Sequence, residues 1–246
     1  MVISLKRLRK WLLAAAVLAV GLSAFGYYYG MGLQHETVMS GYVPTASSTL
    51  ILDAGHGGAD GGAVSLSGVK ESDINLAIAL KAEALAALYG LPTVLTRSSP
   101  DIDYPEGAGT IREKKVADTK NRVALINSIE NAVVVSIHQN IYASSSVEGP
   151  QVLFTAAAGS EELAQAMQGA LISALAPAKE RTPAQVPGNV YIMNHISCPA
   201  VLIECGFLSS PADEAKLLTE AYQVKIASAI LSAYITRTEF QESAYF

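Results

Sequence analysis

Residues 50–58 read L-I-L-D-A-G-H-G-G, an aliphatic run that stops abruptly in glycine. A short apolar run bounded in this way is the signature of a buried strand feeding a tight loop. It sets His56 in a glycine-rich loop at the carboxyl edge of a sheet, where open α/β sheets bind their ligands. Outward from this point the pattern alternates. Residues 72–89 carry Ile74, Ala77, Ile78, Leu85 and Leu88 at helical spacing, and Gly90-Leu91-Pro92 ends the helix. Residues 93–96 read as a strand, 111–128 as a charged amphipathic helix, and 132–137 (A-V-V-V-S-I) as a central strand. Residues 151–154 form another strand and 161–175 a helix. Residues 190–193 and 200–204 are the last two strands, and a helical region from Pro211 to about Thr236 breaks near Ala221. Strands alternating with helices imply an α/β fold with a mostly parallel or mixed sheet and helices on both faces. The loops at 98–110 and 184–189 are candidates for the borders of a groove.

The chain has 246 residues, 50% hydrophobic and 16% charged, which is the composition of one globular domain. Its net charge of -5 is unevenly spread. The first ten residues hold Lys6, Arg7, Arg9 and Lys10 without an acid, and the rest is strongly acidic. Such a body repels phosphate backbones, so no nucleic-acid partner is expected. Cys198 and Cys205 are too few for a disulfide framework and lack the spacing of a cysteine zinc site. They are expected to pack as small hydrophobes.

Residues 11–32 contain no charge and are long enough as a helix to cross a hydrocarbon core of about 30 Å. The preceding cations (1–10) and the following Tyr27, Tyr28 and Tyr29 orient this segment as a transmembrane signal-anchor. Residues 33–47 then read as a polar tether. The catalytic domain, 48–240, is placed outside the cytoplasm, in the cell envelope or a forespore intermembrane space. A cleaved signal peptide is the alternative.

Three apolar strands end in groups that bind metals or move protons. The first delivers His56, a later one delivers His138 in S-I-H-Q-N, and the last exposes Glu204 in L-I-E-C-G-F. Glu71 stands at the mouth of the first long helix. Two imidazoles and one carboxylate with an open position form a hydrolytic zinc site, which assigns His56, Glu71 and His138 to one Zn2+ per chain. A further carboxylate must carry the water's proton to the leaving amine, and Glu204 is its candidate. A structural role is the competing expectation for Arg97 and Arg122, and also for Asn140 and Arg181, which otherwise act as substrate-orienting or supporting groups. His195 has a structural expectation as well, although it can line a cleft.

The segments I-L-D-A-G-H-G-G-A-D-G-G-A, E-S-D-I-N-L-A-I-A-L, V-S-I-H-Q-N and P-A-V-L-I-E-C-G-F-L-S resemble the zinc-dependent N-acetylmuramoyl-L-alanine amidases often called amidase-3. The likeness covers about residues 48–236. It implies a six-stranded α/β fold, zinc on His56, Glu71 and His138, a catalytic Glu204, and peptidoglycan cut between the muramic lactyl group and L-alanine. Two departures are visible, Ala54 for the usual proline and Ser209-Ser210 for the usual S-N. The short anchor, the lack of wall-binding repeats and P-E-G at 105–107 further resemble the small amidases that trim spore-cortex peptidoglycan so that muramic δ-lactam forms. A protein activator is compatible with this reading. The competing functions are a zinc peptidase or carboxypeptidase acting on the stem peptide, and an inactive wall-binding scaffold.

Overall fold

A six-stranded sheet, its strands lying side by side in the order Thr93–Leu95, Thr49–Ala54, Ala132–Asn140, Ala200–Phe207, Gln151–Phe154 and Ala184–Gln185, organises the computed structural model. The model describes residues 48–243, with side chains to residue 236. The basic segment, anchor and tether expected over residues 1–47 lie outside the described residues. Among the described residues, no helix is long and apolar enough to cross a membrane.

The strands are β1 (Thr49–Ala54), β2 (Thr93–Leu95), β3 (Ala132–Asn140), β4 (Gln151–Phe154), β5 (Ala184–Gln185) and β6 (Ala200–Phe207). The helices are α1 (Glu71–Leu88), α2 (Ile111–Asn127), α3 (Ser160–Leu175), α4 (Pro211–Leu217) and α5 (Glu220–Ser243). β1, β2, β3 and β6 run parallel, while β4 is antiparallel to β6 and parallel to β5. The β1, β3 and β6 strands are covered on both faces, which is why they read as continuous apolar runs rather than alternating ones.

Alternation still decides what each face holds. Leu50, Leu52, Val133, Val135, Ile137, Val201 and Ile203 point into a large core. There α1 contributes Ile74, Ile78, Ala82 and Ala86, a four-residue spacing that presents one stripe to the sheet. α3 and α5 complete that layer through residues such as Met167, Leu171, Ile226 and Ile230. The opposite face carries Ile51, Val134, Ala200 and Leu202 against Ile126 of α2 and against Met193 and Ile196. Truncating a fully buried residue such as Leu52 or Ile137 to alanine costs about 2–5 kcal/mol.

Two local expectations are corrected. Residues 190–193 are not a strand: Ile192–Asn194 form a 3-10 turn, and the sixth strand is the two-residue β5. The Asn194 amide donates to the carbonyls of Val190 and Pro187, an alternative to a ladder that outweighs the strand preference of V-Y-I. The last helical region breaks at Leu218 and Thr219 rather than at Ala221. Thr219 then takes over the start of α5, accepting from Gln223 N through its carbonyl. Ser210, one of the two departures noted in the sequence, is the N-cap of α4, and its hydroxyl accepts from Asp213 N at 3.4 Å.

Candidate metal centre and active site

The loop after β1 turns back on itself through paired bonds between Gly57 and Asp60. His56 is held in the left-handed region with φ 59°, a conformation costly for a non-glycine residue. Two buried guanidinium groups fix it. Arg122 donates to the carbonyls of Ala54 and His56, at 2.8 and 2.5 Å, and Arg97 donates to those of Ala54 and Gly55. Arg122 is itself clamped between Asp53 and Asp118 at 3.1 and 2.7 Å. Asp53 is fully buried and also accepts from the hydroxyls of Ser136 and Thr96. Both arginines shape the loop that carries His56.

Glu71, the first residue of α1, is buried with both oxygens engaged. Oε1 lies 3.0 Å from His138 Nδ1 and accepts from Gln139 N, while Oε2 lies 3.4 Å from His56 Nε2 and accepts from Ala63 N. One ligand atom from each of His56, Glu71 and His138 falls within 4.8 Å of the others. Bonds of about 2.0–2.2 Å to one tetrahedral ion place its ligands roughly 3.4 Å apart, so these separations suit nitrogen and oxygen ligation of a small divalent cation. The surroundings fit as well. A Cβ on Gly55 would overlap the His138 ring, and one on Gly62 would stand 2.5 Å from Glu71 Oε2 and 2.8 Å from the His56 ring. Only glycine lets the backbone come this close to the cluster.

The electrostatics agree with the geometry. Burial opposes a charge on His56, but the carboxylates of Asp60 and Glu71 outweigh it and hold its pKa up at about 9. Burial likewise opposes ionised Glu71, yet the two imidazoles keep it well below the carboxylate range. An anionic field that retains a proton on an imidazole at neutral pH also favours a divalent cation among the same atoms.

Asp60 is a functional candidate that reading the sequence missed. Its Oδ2 lies 2.8 Å from His56 Nδ1 and 2.9 Å from Lys115 Nζ. A carboxylate on Nδ1 fixes the tautomer that leaves Nε2 free to ligate, an arrangement common behind metal-bound histidines. Its position four residues after His56, in G-H-G-G-A-D, is the available signal.

Glu204 is the register partner of His138 across β3 and β6. Its Oε2 is buried without a hydrogen-bond partner. Burial pushes its pKa up to about 7, with His138 pulling down and Glu71 adding to the rise. This is the state wanted in a group that takes and returns a proton near neutrality. The other two candidates take different partners. Asn140 accepts from Ile141 N, and Arg181 donates to the Glu148 carbonyl and stacks over Phe207 at 5.0 Å.

A cavity of about 370 Å³ is lined by His56 and His138 of the cluster together with residues of α2 and residues 189–193. Asn189 confirms part of the expected 184–189 border. Cys198 and Cys205 are free thiols, half-buried and buried, and burial raises the pKa of both.

The comparisons with known proteins converge. A family model described as N-acetylmuramoyl-L-alanine amidase matches residues 50–236. The germination-specific N-acetylmuramoyl-L-alanine amidase of Bacillus subtilis (strain 168) is 31% identical over 222 residues, 90% of this chain and 91% of that protein. The CwlD amidase of Clostridioides difficile, solved in complex with the GerS lipoprotein, is 36% identical with a TM-score of 0.72, covering 78% of this chain and 98% of that one. An N-acetylmuramoyl-L-alanine amidase from Clostridium difficile 630 is 30% identical with a TM-score of 0.68, covering 79% and 98%.

Proposed function

The chain belongs to the family of N-acetylmuramoyl-L-alanine amidases, and we propose that it uses one zinc ion on His56, Glu71 and His138 to cut the muramoyl-L-alanine amide of spore-cortex peptidoglycan. Zinc at such a site acidifies water and polarises a carbonyl. Asp60 holds His56 in the ligating tautomer. Glu204 accepts the attacking water's proton on its unpartnered Oε2 and returns it to the departing α-amine of L-alanine. The buried Glu204 Oε2 without a hydrogen-bond partner, on the strand position paired with His138, is the observation that carries the assignment. An acid placed so is costly unless a reaction uses it.

The similarity to the germination-specific amidase of B. subtilis supports work on the spore cortex, where removing the stem frees muramic acid for δ-lactam formation. The CwlD complex with GerS supports a lipoprotein-type activating partner. A membrane anchor at residues 11–32, with the 48–240 domain outside the cytoplasm, completes the proposal.

The test is Glu204→Gln in full-length protein, with metal content and digestion products measured together. Stoichiometric zinc with turnover reduced at least about a thousandfold supports the division of roles. Loss of zinc in that variant overturns it. New free L-alanine amines in wild-type digests support the amidase, whereas shortened stems point to a peptidase.

A further inference from the structure

Tyr191, which lines the cavity shared with His56 and His138, stacks on His195 with ring centroids 3.9 Å apart and 20° between planes. His195 Nδ1 lies 2.8 Å from the Tyr191 carbonyl, and Asn127 of α2 donates to the His195 carbonyl at 3.0 Å. The 3-10 turn beneath is fixed by the Asn194 amide. The pair is therefore held in place while remaining open to solvent, with Tyr191 40% exposed. An exposed aromatic ring, backed on one side and lining a cavity that also holds His56 and His138, is a prepared flat surface.

The rest of the lining says what kind of group lies on it. Val116, Val190, Ile192, Met193 and Leu202 make the wall largely apolar. The two cations of the lining are already committed, Lys115 to Asp60 and Arg122 to Asp53 and Asp118. Apart from the metal cluster itself, an acidic stem peptide would find neither a lysine nor an arginine free in this lining. A neutral sugar suits the surface better: the axial C–H face of a pyranose packs on an aromatic ring, and its acetamido methyl suits the aliphatic wall. The amide of Asn189, at the same rim, can bond ring hydroxyls.

We propose that Tyr191, backed by His195, is a saccharide-stacking residue that seats an N-acetylated pyranose of the glycan strand beside the metal cluster. This rests on the amidase reading and adds to it the side of the scissile bond on which the enzyme recognises its substrate. Tyr191 thereby separates glycan-borne stems from free peptides.

The experiment compares two soluble substrates with full-length, zinc-loaded protein: a stem peptide on an intact disaccharide, and the same stem on a lactyl group without sugar. Tyr191→Ala is expected to lower the ratio of kcat/KM, glycan-bearing over sugarless, about tenfold, while Tyr191→Trp preserves it. His195→Ala lowers the ratio less. An equal loss on both substrates, with the ratio unmoved, overturns the proposal, as does a ratio that instead follows the length of the stem. Binding of glycan strands stripped of their stems is measured alongside, with about tenfold weaker affinity expected for Tyr191→Ala. If wild type fails to cut the muramoyl amide but shows that binding difference, the amidase reading falls and the saccharide site stands. Thermal melts of the three variants identify any that fail to fold, and Tyr191→Leu, which keeps apolar bulk without a flat ring and for which the same fall in ratio is expected, carries the comparison if the alanine variant does not fold.

Discussion

His138 and Glu204 are register partners on β3 and β6, side by side on the sheet face that carries the cluster, yet Glu204 Oε2 has no hydrogen-bond partner. Two neighbouring strands thus hold an imidazole of the cluster and an acid in fixed relation, and no loop motion can separate them. A base on such a scaffold is rigid before substrate arrives.

The pH profile of kcat/KM should therefore show an acid limb that belongs to Glu204. Burial pushes this carboxyl up to about 7, and it must be ionised to take a proton. Activity consequently falls as pH drops through its pKa and levels off above it. Zinc adds to the downward pull of the imidazoles, so the limb of the loaded enzyme is expected at or below about pH 7. Rates that stay flat from about pH 5 to about pH 8 would remove Glu204 from the proton path.

Gly55→Ala should weaken zinc binding about 10–100-fold, the range seen when groups that orient a ligand are disturbed. The new methyl overlaps the His138 ring, and the ring must turn out of its ligating position. Gly68→Ala is the control, since nothing lies within 4 Å of its Cβ. Its φ of +88° costs stability, on the order of 1 kcal/mol, but leaves the cluster untouched. Competition with a chelator reads both. Equal affinities in the two variants would show that backbone proximity at Gly55 does not set the His138 position.

The residues that converge on the cluster, and Glu204 beside it, were legible in the sequence for a physical reason. His56 and His138 follow apolar runs, Glu204 interrupts one, and Glu71 opens a helix, so each polar group stands out against the burial of its surroundings. Asp60 and Lys115 had no such contrast. Asp60 lies in a polar glycine loop and Lys115 on a charged helix, and only the tertiary fold brings them together at 2.9 Å. The misread strand at 190–193 has a similar cause. V-Y-I-M has strand propensity, but the Asn194 side chain and packing of Met193 against the second core favour a turn. That turn carries Tyr191 to the cavity, which a strand reading hid.

Asp53 and Arg122 supply the last prediction, on stability in acid. Burial raises the cost of ionising Asp53, but Arg122 and the hydroxyls of Ser136 and Thr96 outweigh it, so its pKa lies below the ordinary 3.8. A carboxyl depressed on folding contributes stability that is present above its unfolded value and lost as pH falls through its folded one. The window therefore lies below about pH 4. Asp118 acts in the opposite direction: burial lifts its pKa despite Arg122, so its protonation favours the fold as pH drops. Comparing wild type with Asp53→Asn isolates the first effect. At neutral pH the variant should lose about 3 kcal/mol, the low end of the cost of breaking a buried pair, because Asp118 still faces the guanidinium. Below about pH 4 the two proteins should converge as Asp53 itself becomes neutral. Denaturant melts at a series of pH values measure both gaps. A difference that stays constant into strong acid would mean that the charge of Asp53 contributes nothing and that its shape alone supports the loop.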